Sequence, residues 1–385
     1  MIDTVCLLIP KNKMQMLSSS TTGKPDWDLQ SRTDQYERFV KNPSKSDKAS
    51  GLWFPRLTDY NRRGFYQDNN VKIEVSLPKL IYLNNLDELE EKDFALVVET
   101  LQARLRKMGV IIDRAVIESA SVSAVHFSKN ILLQDGYTSN HLISEMNKVN
   151  IRKTFDLTKA TYMNDGQSLC AHTTSHQLII YDKIADMNKD KKRAIDKKQT
   201  NYQFSLFGEI KKAEEVIEVI RFEVRLSHKK KMNQVIKRLG YGKDPTFRDV
   251  FNVEMSRKVV ADYWQKLIKE RNLGLFSISL SLKDVLRTIY VANPKIKPKQ
   301  AIYLVGLFML GRDENGMMEL RSIVTKNSHD RTWYRLVKDM QVAGELITKN
   351  KLRDWVVQID NSLAEFKAYK QKKLAPANTY GTDFI

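Results

Sequence analysis

The chain is poor in several things, and each shortage removes a class of function. Among 385 residues there are only two cysteines, Cys6 and Cys170. Two thiols cannot make a disulfide framework or a cysteine zinc cluster, so a reducing cytoplasm is the expected setting. No run approaches the roughly 18 consecutive apolar residues needed to span a bilayer, and no membrane partner is expected. The opening Met1-Ile2-Asp3-Thr4-Val5-Cys6-Leu7-Leu8-Ile9-Pro10 has no basic lead and carries an early Asp3. It reads as a strand and not as a secretion signal. The glycine loops around Gly136 and Gly166 lack a phosphate-cradling pattern followed by Lys-Ser/Thr, which argues against an ATPase. There is no internal repeat.

Positive charge is what the chain has in excess. Its 64 Lys and Arg outnumber its 46 Asp and Glu, leaving a formal charge of +18. A polyanionic partner is the simplest reason to tolerate that self-repulsion, and nucleic acid is the commonest such partner. A merely soluble basic protein is the plain alternative.

The pattern divides into an α+β half and a helical half. Residues 11–50 are polar and broken by Gly23, Pro25 and Pro43, as expected of a surface excursion. Residues 71–77 alternate like a half-buried strand. Over 86–108, Phe94, Val97, Val98, Leu101, Leu105 and Met108 share a helical face, with Gly109 as a stop. Strands are predicted at 110–117, 122–127, 178–181 and 219–226. After Ser227 the spacing of Val259, Val260, Tyr263, Trp264, Leu267 and Ile268 is helical. Strands and helices mixed without strict βαβ alternation predict an antiparallel sheet with helices packed on it. The expected organisation is an α+β domain over 1–228, a helical accessory domain over 229–373 and a tail over 374–385.

Four strand-like segments put polar residues where chemistry can happen. Residues two apart in a strand share a face, so Tyr181 and Lys183 are predicted to point the same way in Leu178-Ile179-Ile180-Tyr181-Asp182-Lys183. A phenol of pKa about 10 is mostly protonated at neutral pH; a neighbouring cation favours the phenolate. Tyrosine beside lysine is therefore sensible equipment for phosphoryl transfer through a covalent intermediate. His126 shares a face with Ser128 and Asn130, Glu74 with Lys72 and Ser76, and Glu223 with Arg221 and Arg225. One imidazole and two carboxylates suit Mg²⁺ or Mn²⁺. Glu223 simply paired with its flanking arginines, a core His126 and a sheet tyrosine are the structural alternatives. Glu118 is a weaker ligand candidate. His172 and His176 are four apart, but not on a helix, so the pair is rejected as a metal site.

Two segments look suited to nucleic acid. Trp53, Phe54, Arg56, Tyr60, Arg62, Arg63, Phe65 and Tyr66 interleave aromatic and basic residues, like a single-strand platform. Residues 318–342 resemble a helix-turn-helix, with Arg331, Arg335 and Lys338 on one side of its second helix and Trp333, Leu336, Val337 and Met340 broadly opposite. A plain solvated basic helix reads equally well there.

Taken in order, the opening Met-Ile-Asp strand, Ile73-Glu74-Val75-Ser76-Leu77-Pro78-Lys79-Leu80, the strand from Val122 through His126 to Asn130, the Tyr181 segment, Ile220-Arg221-Phe222-Glu223-Val224-Arg225 and Thr332-Trp333-Tyr334-Arg335-Leu336-Val337 resemble the gene II/X replication initiators of filamentous phages. More distantly they resemble plasmid rolling-circle initiators and the HUH endonucleases. The resemblance covers roughly residues 1–345. It implies a Rep-like catalytic domain, Tyr181 as nucleophile, and Glu74, His126 and Glu223 as metal-binding members of the site. It also implies DNA, host helicase and polymerase as partners in a bacterial cytoplasm, with a homodimer left open. Ala124-Val125-His126 departs from the Arg-hydrophobic-Asp of gene II, and Ser128 stands where HUH enzymes have a second histidine. A relaxase, a single-strand transposase and a non-catalytic DNA-binding regulator are the alternative functions. Tyr137, Tyr162 and Tyr202 are further tyrosines, none singled out as a second nucleophile.

Overall fold

The computed structural model describes residues 1–17, 27–33, 36–44, 47, 50–62, 70–149, 161–163, 168–187, 217–270, 281–313, 316–347 and 352–371. The architecture is α+β, built on an antiparallel sheet. Its strands are β1 (Ile2–Pro10), β3 (Asp28–Arg32), β4 (Tyr36–Lys41), β5 (Arg56–Arg62), β6 (Asn70–Ser76), β8 (Ser121–Leu132), β9 (Thr161–Met163), β10 (Ser168–His172), β11 (His176–Asp182) and β12 (Val219–Leu226). They lie in the order β3-β4-β5-β6-β1-β8-β12-β11-β10-β9. The short strands β2 (Met14–Met16) and β7 (Val110–Ile112) pair separately.

Alternation along the strands makes the sheet two-sided. Val5, Leu7, Val71, Ile73, Val125, Phe127, Leu178, Ile180, Phe222 and Val224 are buried and belong to one hydrophobic core. Helices supply the other layer of that core. After α1 (Leu77–Tyr82) comes α2 (Phe94–Lys107), which buries Val97, Val98, Leu101 and Leu105, and Gly109 at φ +76° turns the chain out of it. Short α3 (Arg114–Glu118), α4 (Ser139–Asn147) and α5 (Lys183–Met187) follow. Beyond the sheet, α6 (Lys229–Arg238), α7 (Phe247–Val250) and α8 (Val253–Tyr263) continue the same core, and Phe222 meets Trp264 edge to face at 5.6 Å.

The remaining helices are α9 (Leu282–Ala292), α10 (Pro298–Arg312), α11 (Gly316–Asn327), α12 (Asp330–Ile347) and α13 (Asp354–Glu365). A second core made of Val285, Ile289, Leu304, Phe308 and Ala343 holds α9, α10 and α12 together. Trp333, Val337, Trp355 and Ile359 instead join the core of the sheet.

Three local expectations are corrected. The excursion over 11–50 carries β2, β3 and β4, which extend the sheets. The helix expected over 86–108 begins at Phe94, because Glu90 and Asp93 form a capping box around the preceding turn. The strand expected over 110–117 stops at Ile112, and α3 begins at Arg114 after Asp113. The tail over 374–385 lies outside the described residues.

Phe222 is fully buried against Trp264, so Phe222→Ala is expected to lower stability by about 3–5 kcal/mol. Urea unfolding followed by tryptophan fluorescence measures it, and a loss below about 1 kcal/mol would contradict a continuous core at this point.

Candidate functional site: a polar sheet face around Glu223

The second face of the sheet is polar at its centre. Register sets Arg225 opposite His126, Glu223 opposite Ser128 and Arg221 opposite Asn130 across β12 and β8. Across β12 and β11, Tyr181 lies opposite Arg221 and Ile179 opposite Glu223. Thr4 of β1 faces His126. The pairing of β1 with β8 slips between Ile2 and Thr4. Such an irregularity re-aims a side chain, and Asp3 reaches Arg221 on the polar face, with its Oδ1 2.7 Å from Nη2.

Asp3, His126 and Glu223 each bring a ligand atom to within 4.8 Å of the others. Glu223 is the hub. Tyr181 Oη donates a hydrogen bond to its Oε2 at 3.2 Å, and Arg225 Nε donates to its Oε1 at 2.8 Å. His126 Nδ1 lies 3.6 Å from the same Oε1. Arg221 ties the floor together, donating to Ser128 Oγ at 2.9 Å and to the Asn85 carbonyl at 2.6 Å. Thr4 Oγ1 donates to Asp3 Oδ2 at 3.0 Å.

Burial and charge oppose one another at every member. Burial works against the charge of Asp3, but the positive groups around it, Arg221 first and then Lys183, together outweigh burial and hold the carboxyl well below the usual range. Glu223 is likewise disfavoured by burial yet held low by Arg225 and then Arg221, with Asp3 opposing. Burial lowers the His126 pKa despite the pull of Glu223, so the imidazole is neutral at pH 7, the form that binds metals. Burial drives the Tyr181 phenol well above its ordinary value, against the pull of Arg221.

Two carboxylates and a neutral imidazole, drawn from three adjacent strands, make a donor set able to hold a metal ion. Such an ion has to share the carboxylates with Arg221 and Arg225, whose guanidiniums already balance both charges.

Several residues expected at the site lie elsewhere in the arrangement. Glu74 is on the same face but opposite Cys6 and Arg56, 4.0 Å from Lys72. It biases His126 electrostatically but is not in the three-ligand group. Asp3, which alternation does not single out, stands in the three-ligand group where Glu74 was expected. Lys183 does not extend β11, which ends at Asp182; it opens α5, and its ammonium lies 5.7 Å from the Tyr181 ring centroid and 3.7 Å from Asp186 Oδ2. Glu118 ends α3 in ion pairs with Arg114 and Arg248. His172 and His176 pair in register with Gln177 and Leu226, on opposite faces, so they do not form a site together.

Arg56 is half-buried on the polar face, while Arg63 and the side chain of Arg62 lie outside the described residues, as do Phe65, Tyr66, Gly166 and Tyr202 and the side chain of Tyr162. Trp53 and Phe54 stack with Lys79 and Arg104. Tyr137 stacks on His141. Arg331, Arg335 and Lys338 are exposed on α12 while Trp333 and Val337 are buried, and only Ser328 and His329 separate α11 from α12.

Replacing Asp3 by Asn should weaken Mn²⁺ binding at least about tenfold by calorimetric titration; an unchanged affinity would remove Asp3 from the ligand set. Lys183 is fully buried, and burial, reinforced by Arg221, lowers its pKa to about 7. An unfolded lysine titrates near 10.4, so from about pH 7 to 10 the unfolded chain binds more protons and stability rises with pH. Lys183→Met should therefore be the more stable protein at pH 6, by up to about 4–5 kcal/mol, with the gap closing towards pH 10. Chemical denaturation at the two pH values measures this, and an equal gap at both would contradict it. No protein-family model matches the chain, and neither does any curated protein or solved structure.

Proposed function

We propose that this chain is a tyrosine-dependent, single-strand DNA endonuclease that nicks and rejoins DNA at an origin to start rolling-circle replication. The observation that carries the reading is the hydrogen bond from Tyr181 Oη to Glu223 Oε2, inside a group of three metal-capable side chains. A nucleophile, a base to take its proton and a set of ligands for a divalent cation are the parts that phosphoryl transfer to a side chain requires.

In the proposed step Tyr181 oxygen attacks a DNA phosphorus and its proton passes to Glu223. The new bond joins phosphorus to the phenolic oxygen, the bond to the 3′-oxygen breaks, and that oxygen leaves as a hydroxyl after taking a proton from water or from Lys183. The product is a 5′-phosphotyrosyl enzyme with a free 3′ end for a host polymerase. Because one phosphoester replaces another, reversal rejoins strands without ATP. A Mg²⁺ or Mn²⁺ held by Asp3, His126 and Glu223 would polarise a non-bridging phosphate oxygen and favour the phenolate. Arg221 holds Asp3 and Ser128 in place, and Arg225 orients Glu223.

The net charge of +18 supports a polyanionic substrate, and exposed Arg331, Arg335 and Lys338 support a DNA contact by α11 and α12. The HUH-like reading of the sheet, host helicase as a partner and a cytoplasmic setting follow from the gene II/X resemblance. A relaxase or single-strand transposase shares this chemistry. A non-catalytic regulator leaves the Tyr181–Glu223 contact without a use. Among the described residues no helix is long and apolar enough to cross a membrane.

Tyr181→Phe is expected to retain single-strand binding and to form no covalent adduct with a labelled oligonucleotide carrying the nick site, as read on a denaturing gel. An adduct that survives the change would exclude Tyr181 as the nucleophile.

A further inference from the structure

The polar face is closed at one end of the site and open at the other. Beyond Tyr181 and Arg221, the segment 84–88 covers the sheet: Asn84, Leu86 and Glu88 are buried, Asn85 accepts from Arg221, and Leu86 accepts from Asn130. In the opposite direction along the strands the next row is half-exposed. It runs from His126 on β8 to Arg225 on β12, Gln177 on β11 and His172 on β10, each the direct register partner of the one before. Its side chains lie on the face of Glu223, which is two residues along β12 from Arg225. The His126 and Arg225 side chains keep 22% and 36% exposure beside a fully buried Glu223, and Gln177 and His172 are also half-exposed.

We propose that this row is the bed for the DNA strand next to the scissile phosphate, with Gln177 and His172 as its binding residues. The inference rests on the nicking reading and adds the direction in which the substrate leaves the site. With strands about 4.8 Å apart, the row from β8 to β10 is roughly 14 Å long. It crosses the strands, whereas the covered end blocks a path through Arg221 and Asn130. Its chemistry suits an unpaired strand. The Arg225 guanidinium meets a phosphate, the Gln177 amide offers both a donor and an acceptor to a base edge, and the His172 ring with half-exposed Ile179 beside it offers a surface for a base to stack on. A duplex keeps its base faces stacked internally and gains nothing from that surface. The plain alternative is a water-facing sheet, which antiparallel sheets commonly have, and the test separates the two.

The experiment uses full-length protein carrying Tyr181→Phe, so that binding is read without covalent trapping. Fluorescence anisotropy with a labelled thymidine 20-mer compares this parent with versions also carrying His172→Ala, Gln177→Ala or both, and with His172→Phe; a duplex of the same length is the control. The double alanine variant should bind the single strand about tenfold more weakly, with duplex binding little changed, and His172→Phe should retain most of the affinity because the stacking surface remains. Should the double variant fail to fold, photocrosslinking the parent to an iodouridine 20-mer provides the second readout, with adducts expected on residues 168–182. Unaltered single-strand affinity in the double variant overturns the row, as do crosslinks confined to other segments. A parent that binds no single strand refutes the nicking reading itself, which distinguishes the two failures.

Discussion

Two carboxylates, Asp3 and Glu223, are buried side by side, and the site depends on the two arginines that neutralise them. An unpaired buried charge costs several kcal/mol, so removing either guanidinium leaves a penalty that the surrounding sheet has to absorb. Arg221 and Arg225 each lie two residues from Glu223 on the same strand and grip it from both sides. The strand thereby carries its own compensating charges. The consequence reaches Tyr181, whose phenol is forced up by burial and kept protonated unless more positive charge arrives. In the proposed reaction a cation would have to offset that burial before Tyr181 could react.

The sheet separates structural from chemical work by parity. Odd and even positions of β12 illustrate this: Phe222 and Val224 enter the core beside Trp264, while Arg221, Glu223 and Arg225 form the polar centre. Central strands with a well-packed apolar side hold the polar side chains in fixed register, which is what a reaction needing sub-ångström placement demands. The segment 84–88 closes one end of that face, and Asn130 and Arg221 satisfy its carbonyls.

Much of this was legible from alternation alone. The strands containing Glu74, His126, Tyr181 and Glu223 were identifiable, since each combines period-two apolar residues with a polar set on the other face. Asp3 was not, because a single acid in an apolar strand has no periodicity, and only the irregular pairing of β1 with β8 brings it to Arg221. Lys183 was placed on a strand by spacing, but the strand gives way to a helix just before it. The run over 110–117 was ambiguous as short apolar runs are. The helix expected from residue 86 starts only at Phe94, because the Asn84 side chain accepts from the backbone of Leu86 and Asp87 and Glu88 accepts from the backbone of Asn130. The open row ending at His172 was invisible before pairing was known, since its four members come from three separate stretches of sequence, with Gln177 and His172 on one hairpin.

The most direct test of the account is to react the wild-type protein with a supercoiled plasmid bearing the nick site in the presence of Mn²⁺, digest both polymers, and map the linked peptide by tandem mass spectrometry. The account predicts a nucleotide phosphate esterified to Tyr181. A phosphate linked to any other side chain, or nicked DNA with no linked peptide, would contradict it.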